Sequence, residues 1–190
     1  YSAWFGRTHG LPINEILCST NINDVLRRFI DKGVLEPLVT QPSVAPSMDI
    51  QIPSSLERLI FDVSSETNSF YNQLQTNSKA RLDEKGVDGL KNVFSSVTFS
   101  DEMITTLITS LNDEFAIIFD PHSVTSVQMA LDNDSSLPTV AVATASPEKF
   151  GNVISPLIKD FTETKIEEKE QYLTLSTENA EIIEAIKAFI

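Results

Sequence analysis

The chain has 190 residues, 41% of them hydrophobic, enough for a sizeable core in one compact domain or in a large piece of a bigger protein. Lys and Arg number 14 against 27 Asp and Glu, a formal net charge of -13 with no basic cluster, which opposes a nucleic-acid-binding role. The lone cysteine, Cys18, excludes a disulfide framework and a thiolate zinc site and fits a reducing, cytoplasmic compartment; no signal peptide or spanning segment is visible.

The chain begins at Tyr1, and Tyr1 to Arg7 has the character of a helix interior that ends at Gly10-Leu11-Pro12. The expectation is a fragment whose N-terminal part is missing. Glu15 to Thr20 is an apolar strand. Asn21 follows and can cap a helix with Ile22, Val25, Leu26, Phe29 and Ile30 on one face before Gly33 ends it, with Asp24 at a capping-box-like position. Between Gln41 and Pro53, three prolines exclude a regular helix and predict a loop. Leu56, Leu59, Ile60 and Val63 then have helical spacing. Residues 79–89, charged and punctuated by glycine, are expected to be a mobile excursion. A helix with Ile104, Leu107, Ile108 and Leu111 inward begins after Ser100.

Phe115 to Phe119 is predicted as a second strand. Asp120-Pro121 then opens a helix with Val124, Val127 and Leu131 inward. Thr139 to Thr144 is predicted as a third strand, followed by a helix opened by Ser146-Pro147. The charged stretch from Thr162 to Gln171 leads to an edge strand at Tyr172 to Leu175 and a closing helix with Ile182, Ile183, Ile186, Phe189 and Ile190 apolar. Repeated strand-to-helix units predict an α/β fold, three-layered, with a mostly parallel sheet flanked by helices. Such a sheet delivers its strand ends and the following helix N-termini to one edge, where ligands bind.

Several tempting motifs have plainer readings. Asp120, His122 and Ser123 lie on one turn and cannot form a triad, and no G-x-S-x-G elbow is present. His122 reads as a first-turn helix residue. Two His and one Cys are a poor zinc inventory, so no metal site is expected. Asn133-Asp-Ser135 is a chance glycosylation triplet.

Six phrases fall in one order: Leu11-Pro-Ile13, Thr20-Asn-Ile-Asn-Asp24, Pro46-Ser-Met-Asp-Ile50, Leu56-Glu-Arg-Leu59, Asp120-Pro-His122 and Ala143-Thr-Ala-Ser-Pro-Glu-Lys-Phe150. Together they resemble the C-terminal part of threonine synthase, in the longer class found in fungi and many bacteria, whose members carry an Asn-Glu-Asn-Asp turn, Ser-Pro-Ser-Met-Asp-Ile, and Thr-Ala-His-Pro-Ala-Lys-Phe. Beyond about Ser155 the resemblance fades. It implies a fold-type-II, tryptophan synthase β-like enzyme that uses pyridoxal 5'-phosphate to convert O-phosphohomoserine and water to threonine and phosphate.

The family's Schiff-base Lys and glycine- and asparagine-rich phosphate loop cannot be matched in residues 1–190, so the resemblance implies that they lie upstream and that this chain alone is inactive. Thr144 occupies the position whose hydroxyl meets the pyridine nitrogen. Ser146 stands where the family usually has His, and serves more simply as a helix cap. Asn21 could line the cofactor cleft or cap its helix. Asp49 could approach the substrate if it held a basic side chain in place, and Arg58 is the candidate partner and a candidate substrate ligand, although here Ser55-Leu56-Glu57-Arg58 replaces the family's Asn-Phe-Glu-Arg. The departures keep open a threonine-synthase-like phospho-lyase that releases 2-oxobutyrate, and a non-catalytic remnant. Oligomeric state is left open.

Overall fold

The computed structural model describes residues 1–162, 180, 182–184 and 187; the edge strand at 172–175 and the other expectations for 163–179 and the closing helix lie largely outside them. Helix α1 (Ser2–Thr8) runs to a turn at Gly10, whose φ of 95° only glycine adopts freely. Its Trp4 ring stacks 5.7 Å from Phe94. Strand β1 (Ile16–Thr20) leads through a short turn to α2 (Val25–Lys32). Val25, Phe29 and Ile30 are the buried stripe of α2, and Asp24 pairs with Arg27 at 2.6 Å and Arg28 at 2.9 Å at its start. Gly33 ends it at φ 65°, its N–H donating to the Phe29 carbonyl. A Cβ there would sit 2.3 Å from Val87, so the position is restricted by space as well as by backbone.

Strand β2 (Val34–Leu35), helices α3 (Leu56–Val63) and α4 (Thr67–Asn77), strand β3 (Ala80–Arg81) and helix α5 (Glu84–Lys91) complete the first layer. β2 and β3 pair antiparallel, Val34 opposite Arg81 and Leu35 opposite Ala80. Residues 79–89 hold β3 and most of α5. Ala80, Leu82 and Leu90 enter the core while Lys79, Arg81, Glu84 and Lys85 stay outside. Asp83 caps α5, its carboxylate accepting from the Gly86 N–H at 2.7 Å.

Strand β4 (Phe94–Thr98) pairs parallel with β1, in register from Ile16–Phe94 to Thr20–Thr98. Helix α6 (Asp101–Phe115) follows directly, capped by Ser100, whose hydroxyl accepts from Met103 N–H at 3.2 Å. Alternate residues of β1 face opposite layers. Ile16 and Cys18 pack against the cluster of α2, α3, α4 and α5, and Leu17 against the cluster built on α6 and α7 (Ser123–Leu131). The result is the expected α/β arrangement of a parallel sheet flanked by helices. Burial pushes the Cys18 thiol up to about 11, so the cysteine is a packed core group.

Two predicted strands are absent from the ladders. Phe115 belongs to α6, which closes in a left-handed turn at Ala116, and Ile117 to Asp120 run as an unpaired connector. Residues 139–144 are in no helix and in no ladder, because no strand among the described residues lies beside them; Val140 is 84% exposed. The inward stripe of α7 also differs. Val124, Thr125 and Met129 are buried, and Leu131 faces out. After a 3-10 turn at Pro147–Phe150, α8 (Gly151–Ile154) buries Ile154.

Candidate functional site

The parallel pair brings the ends of β1 and β4 together with the N-termini of α2 and α6. The Thr20 and Thr98 hydroxyls meet at 3.0 Å, and Arg27 Nε donates to Thr98 at 2.9 Å. The turn after β1 is the floor of the site. Asn21, fully buried, accepts the Asn23 N–H through its carbonyl at 2.9 Å and aims its amide at the loop spanning Gln41 to Pro53. That amide donates to Ser43 Oγ and to Asp49 Oδ1, both at 2.7 Å. Asn21 is therefore not the cap of α2, as the sequence suggested. It lies four positions before Val25, beyond reach of the first free amides, and is turned to the loop instead.

Asp49 collects the loop. Its Oδ1 accepts from Asn21, from Asn23 at 2.9 Å and from the Ser43 hydroxyl at 2.7 Å, while Oδ2 accepts the Ser43 N–H at 3.0 Å. Neutral donors satisfy this carboxylate, and the cation expected beside it is elsewhere. Arg58 is exposed on α3, its guanidinium 5.0 Å from the centre of the Tyr1 ring and bonded to the Ser55 hydroxyl at 3.5 Å. Nothing in the local pattern marks Ser43, a loop serine whose partner lies six residues on.

A second set of bonds joins this loop to α7. The Ser47 backbone N–H donates to His122 Nε2 at 3.1 Å. A backbone N–H can only donate, so the ring proton sits on Nδ1 and is given to Asp120 Oδ1 at 2.8 Å. His122 is thus a buried tie between loop and helix. Burial alone would raise the Asp120 carboxyl, but side-chain and backbone hydrogen bonds from His122 and Ser123 outweigh it and hold the carboxyl below its usual value. On the other side of the helix turn, Ser19 of β1 meets the Thr125 hydroxyl at 2.8 Å.

Thr144 is reached through this same turn of α7. Its backbone N–H donates to Ser123 Oγ at 3.0 Å, while its side chain is exposed with no hydrogen-bond partner among the described residues. Ser146 occupies the N-cap position of the following turn without making a capping bond. The structure thus gathers Asn21, Asp49 and, through Ser47, His122 and Ser123, Thr144 on one connected edge, and leaves Arg58 apart.

No protein-family model matches the chain. Threonine synthase of Saccharomyces cerevisiae is 29% identical over 203 residues, covering 93% of this chain and 39% of that protein. A crystal structure of threonine synthase from Brucella melitensis, bound to PLP, matches with a TM-score of 0.81 at 26% identity, over 98% of this chain and 43% of that one. The chain is related to the threonine synthases. Threonine synthase-like 2 of Rattus norvegicus is 29% identical over 155 residues, covering 76% of this chain and 32% of that protein. The chain spans well under half the length of the curated relatives it matches. The likeness to the threonine synthases extends over both layers, so the α/β arrangement belongs to the relationship as well as to this chain.

Proposed function

We propose that residues 1–190 are part of the cofactor lobe of a threonine synthase, which converts O-phosphohomoserine and water to L-threonine and phosphate, and that the Schiff-base Lys and phosphate loop lie in the polypeptide outside them. The observation that carries this reading is Thr144, whose backbone is fixed on α7 and whose hydroxyl is exposed and unpartnered at the end of the residue 139–144 segment. That hydroxyl fits the pyridine nitrogen of pyridoxal 5'-phosphate. When bound, this cofactor supplies the electron sink that lets protons leave the α and β carbons before phosphate departs from the γ carbon.

The chain's own residues bind and orient. Thr144 offers a neutral hydroxyl, which fixes the ring without the full negative charge of a carboxylate partner. Asn21 and Asp49 act indirectly, because their polar atoms are bonded to each other and to the 41–53 loop, and they hold that loop against the end of β1. Arg58 keeps an exposed cation for an anionic substrate group, in a position not joined to the rest. Ser146 offers a short hydroxyl beside Thr144. A cytoplasmic setting accords with the single, partly buried thiol, and no helix among the described residues is long and apolar enough to cross a membrane.

A second reading is favoured by Ser146 in the place of the family's usual His: a phospho-lyase releasing 2-oxobutyrate, ammonia and phosphate from the same substrate. Product analysis with O-phosphohomoserine, on the whole polypeptide that carries this chain, separates the two. Threonine with phosphate supports the synthase, and 2-oxobutyrate with phosphate the lyase. A polypeptide that develops no Schiff-base absorbance with the cofactor would sink both in favour of a non-catalytic remnant. Thr144→Val is expected to weaken cofactor binding about tenfold, the loss of one well-placed hydrogen bond, and Thr144→Ser to retain it.

A further inference from the structure

The segment that ends at Thr144 is strand-like in composition yet has no strand beside it among the described residues, and a pair of serines on α7 holds its backbone. In extended backbone, the carbonyl of one residue and the N–H of the residue two positions on face the same side. The Val142 carbonyl and the Thr144 N–H are placed as such a pair would be, both bonded to α7. Ser123 and Ser126 stand three residues apart on α7, on one face of the helix and about 5 Å from each other, close to the spacing of those two backbone groups. Thr144 N–H donates to Ser123 Oγ at 3.0 Å, and Ser126 Oγ shares its proton between the Ser123 carbonyl at 2.8 Å and the Val142 carbonyl at 3.3 Å.

We propose that Ser123 and Ser126 form a two-point clamp on the backbone of Val142 and Thr144 that sets where the Thr144 hydroxyl lies, which makes Ser123 a positioning residue for the cofactor contact. The proposal rests on the reading of Thr144 given above. Ser123 is suited to the task because it is itself immobile: it is 2% exposed, and its N–H donates to Asp120 Oδ1 at 3.4 Å in the first turn of α7. Thr125, two residues on, ties the same turn to β1 through Ser19. A shift of the sheet edge is thereby passed to Thr144 through one buried hydroxyl. Ser126 is the weaker point of the two, its bond to Val142 being longer and shared.

Two measurements test the clamp independently. In the protein without cofactor, Ser123→Ala removes the acceptor of the Thr144 N–H, and exchange of that amide with solvent should accelerate about tenfold while the amides of β1 keep their protection. Unchanged exchange at Thr144 would overturn the clamp. In the whole polypeptide, titration with pyridoxal 5'-phosphate should show Ser123→Ala weakening binding about fivefold to tenfold when Thr144 is present and adding no further loss in a Thr144→Val background. An equal loss in both backgrounds would overturn the positioning role. If Thr144→Val itself leaves cofactor affinity unchanged, the reading of Thr144 fails, and the exchange measurement still decides the clamp.

Discussion

Residues 79–91 and 137–144 have traded the places their compositions suggest. The first is charged and carries two glycines, yet Ala80, Leu82 and Leu90 lie in the core. The second is nearly all apolar between Thr139 and Thr144, yet Val140 and Val142 face solvent. The difference lies in partners. In 79–91, apolar residues at strand and then helix spacing meet α2, α3 and β2, and the charges fall on the outer side. In 137–144 alternate residues on both faces are apolar, which suits a strand enclosed on each side, but the described residues provide only the hydroxyls of α7 and of Ser135 and the Asn133 amide. Burial follows the neighbours a segment can reach, and mean apolarity is a weak guide to it.

The largest expected effect tests the first half of that contrast. Leu90→Ala should cost about 2–5 kcal/mol in urea denaturation, as truncation of a fully buried leucine leaves a cavity among Val25, Phe29 and their neighbours. A loss below about 0.5 kcal/mol, the scale of a surface change, would show that Leu90 is not packed into the core.

The second test concerns the turn that carries the exposed segment. Asp120→Asn replaces a buried carboxylate that accepts from His122 N–H, His122 Nδ1–H and Ser123 N–H, and should cost about 1–3 kcal/mol at neutral pH. The pH dependence has a definite sign. The Asp120 carboxyl is held below its usual value in the folded protein. Its stabilising contribution is therefore present above the ordinary carboxylate range and is lost as the pH falls through the folded-state value. The gap between wild type and variant should narrow on acidification below pH 4 or so. A gap that stays constant with falling pH would show that the folded and unfolded carboxyls titrate alike.

Much of the frame was legible because helical spacing and caps are local. The stripe Val25, Phe29, Ile30, the stop at Gly33, the helix start after Ser100 and the stripe Ile104, Ile108, Leu111 all appear where the pattern puts them. Helix α4 escaped notice because Phe70 is its only buried residue, too little for a periodic signal. Strand assignments at 115–119 and 139–144 failed for a different reason. A strand exists only with its neighbour, and composition reports on the side chains alone. At the candidate site, Thr144 is singled out by its phrase, whereas Ser43 draws no notice and Ser123 reads only as a neighbour of His122 on one helical turn. Ser43 gives both its hydroxyl and its N–H to the Asp49 carboxylate six residues on, and Ser123 accepts the N–H of Thr144, 21 residues on; neither partner is marked by a local pattern. The supposed Asp49–Arg58 pair failed because the carboxylate found enough neutral donors nearer at hand.

The smallest expected effect bears on the other half of the contrast. Val140 is 84% exposed, so folding withdraws little of its side chain from water, and the transfer free energy lost on truncation scales with that small area. The segment is held through the backbone of Val142 and Thr144, which Val140→Ala leaves intact. The variant should therefore lie within about 0.5 kcal/mol of wild type, and Val140→Lys, which puts a charge where solvent already is, should behave the same way. A loss above about 1.5 kcal/mol from either change would mean that the valine is covered in solution. The distinction between the two segments would then be one of neighbours supplied within the folded chain and neighbours supplied from outside it, and the lysine variant, unable to keep its charge hydrated beneath such a cover, should suffer more than the alanine.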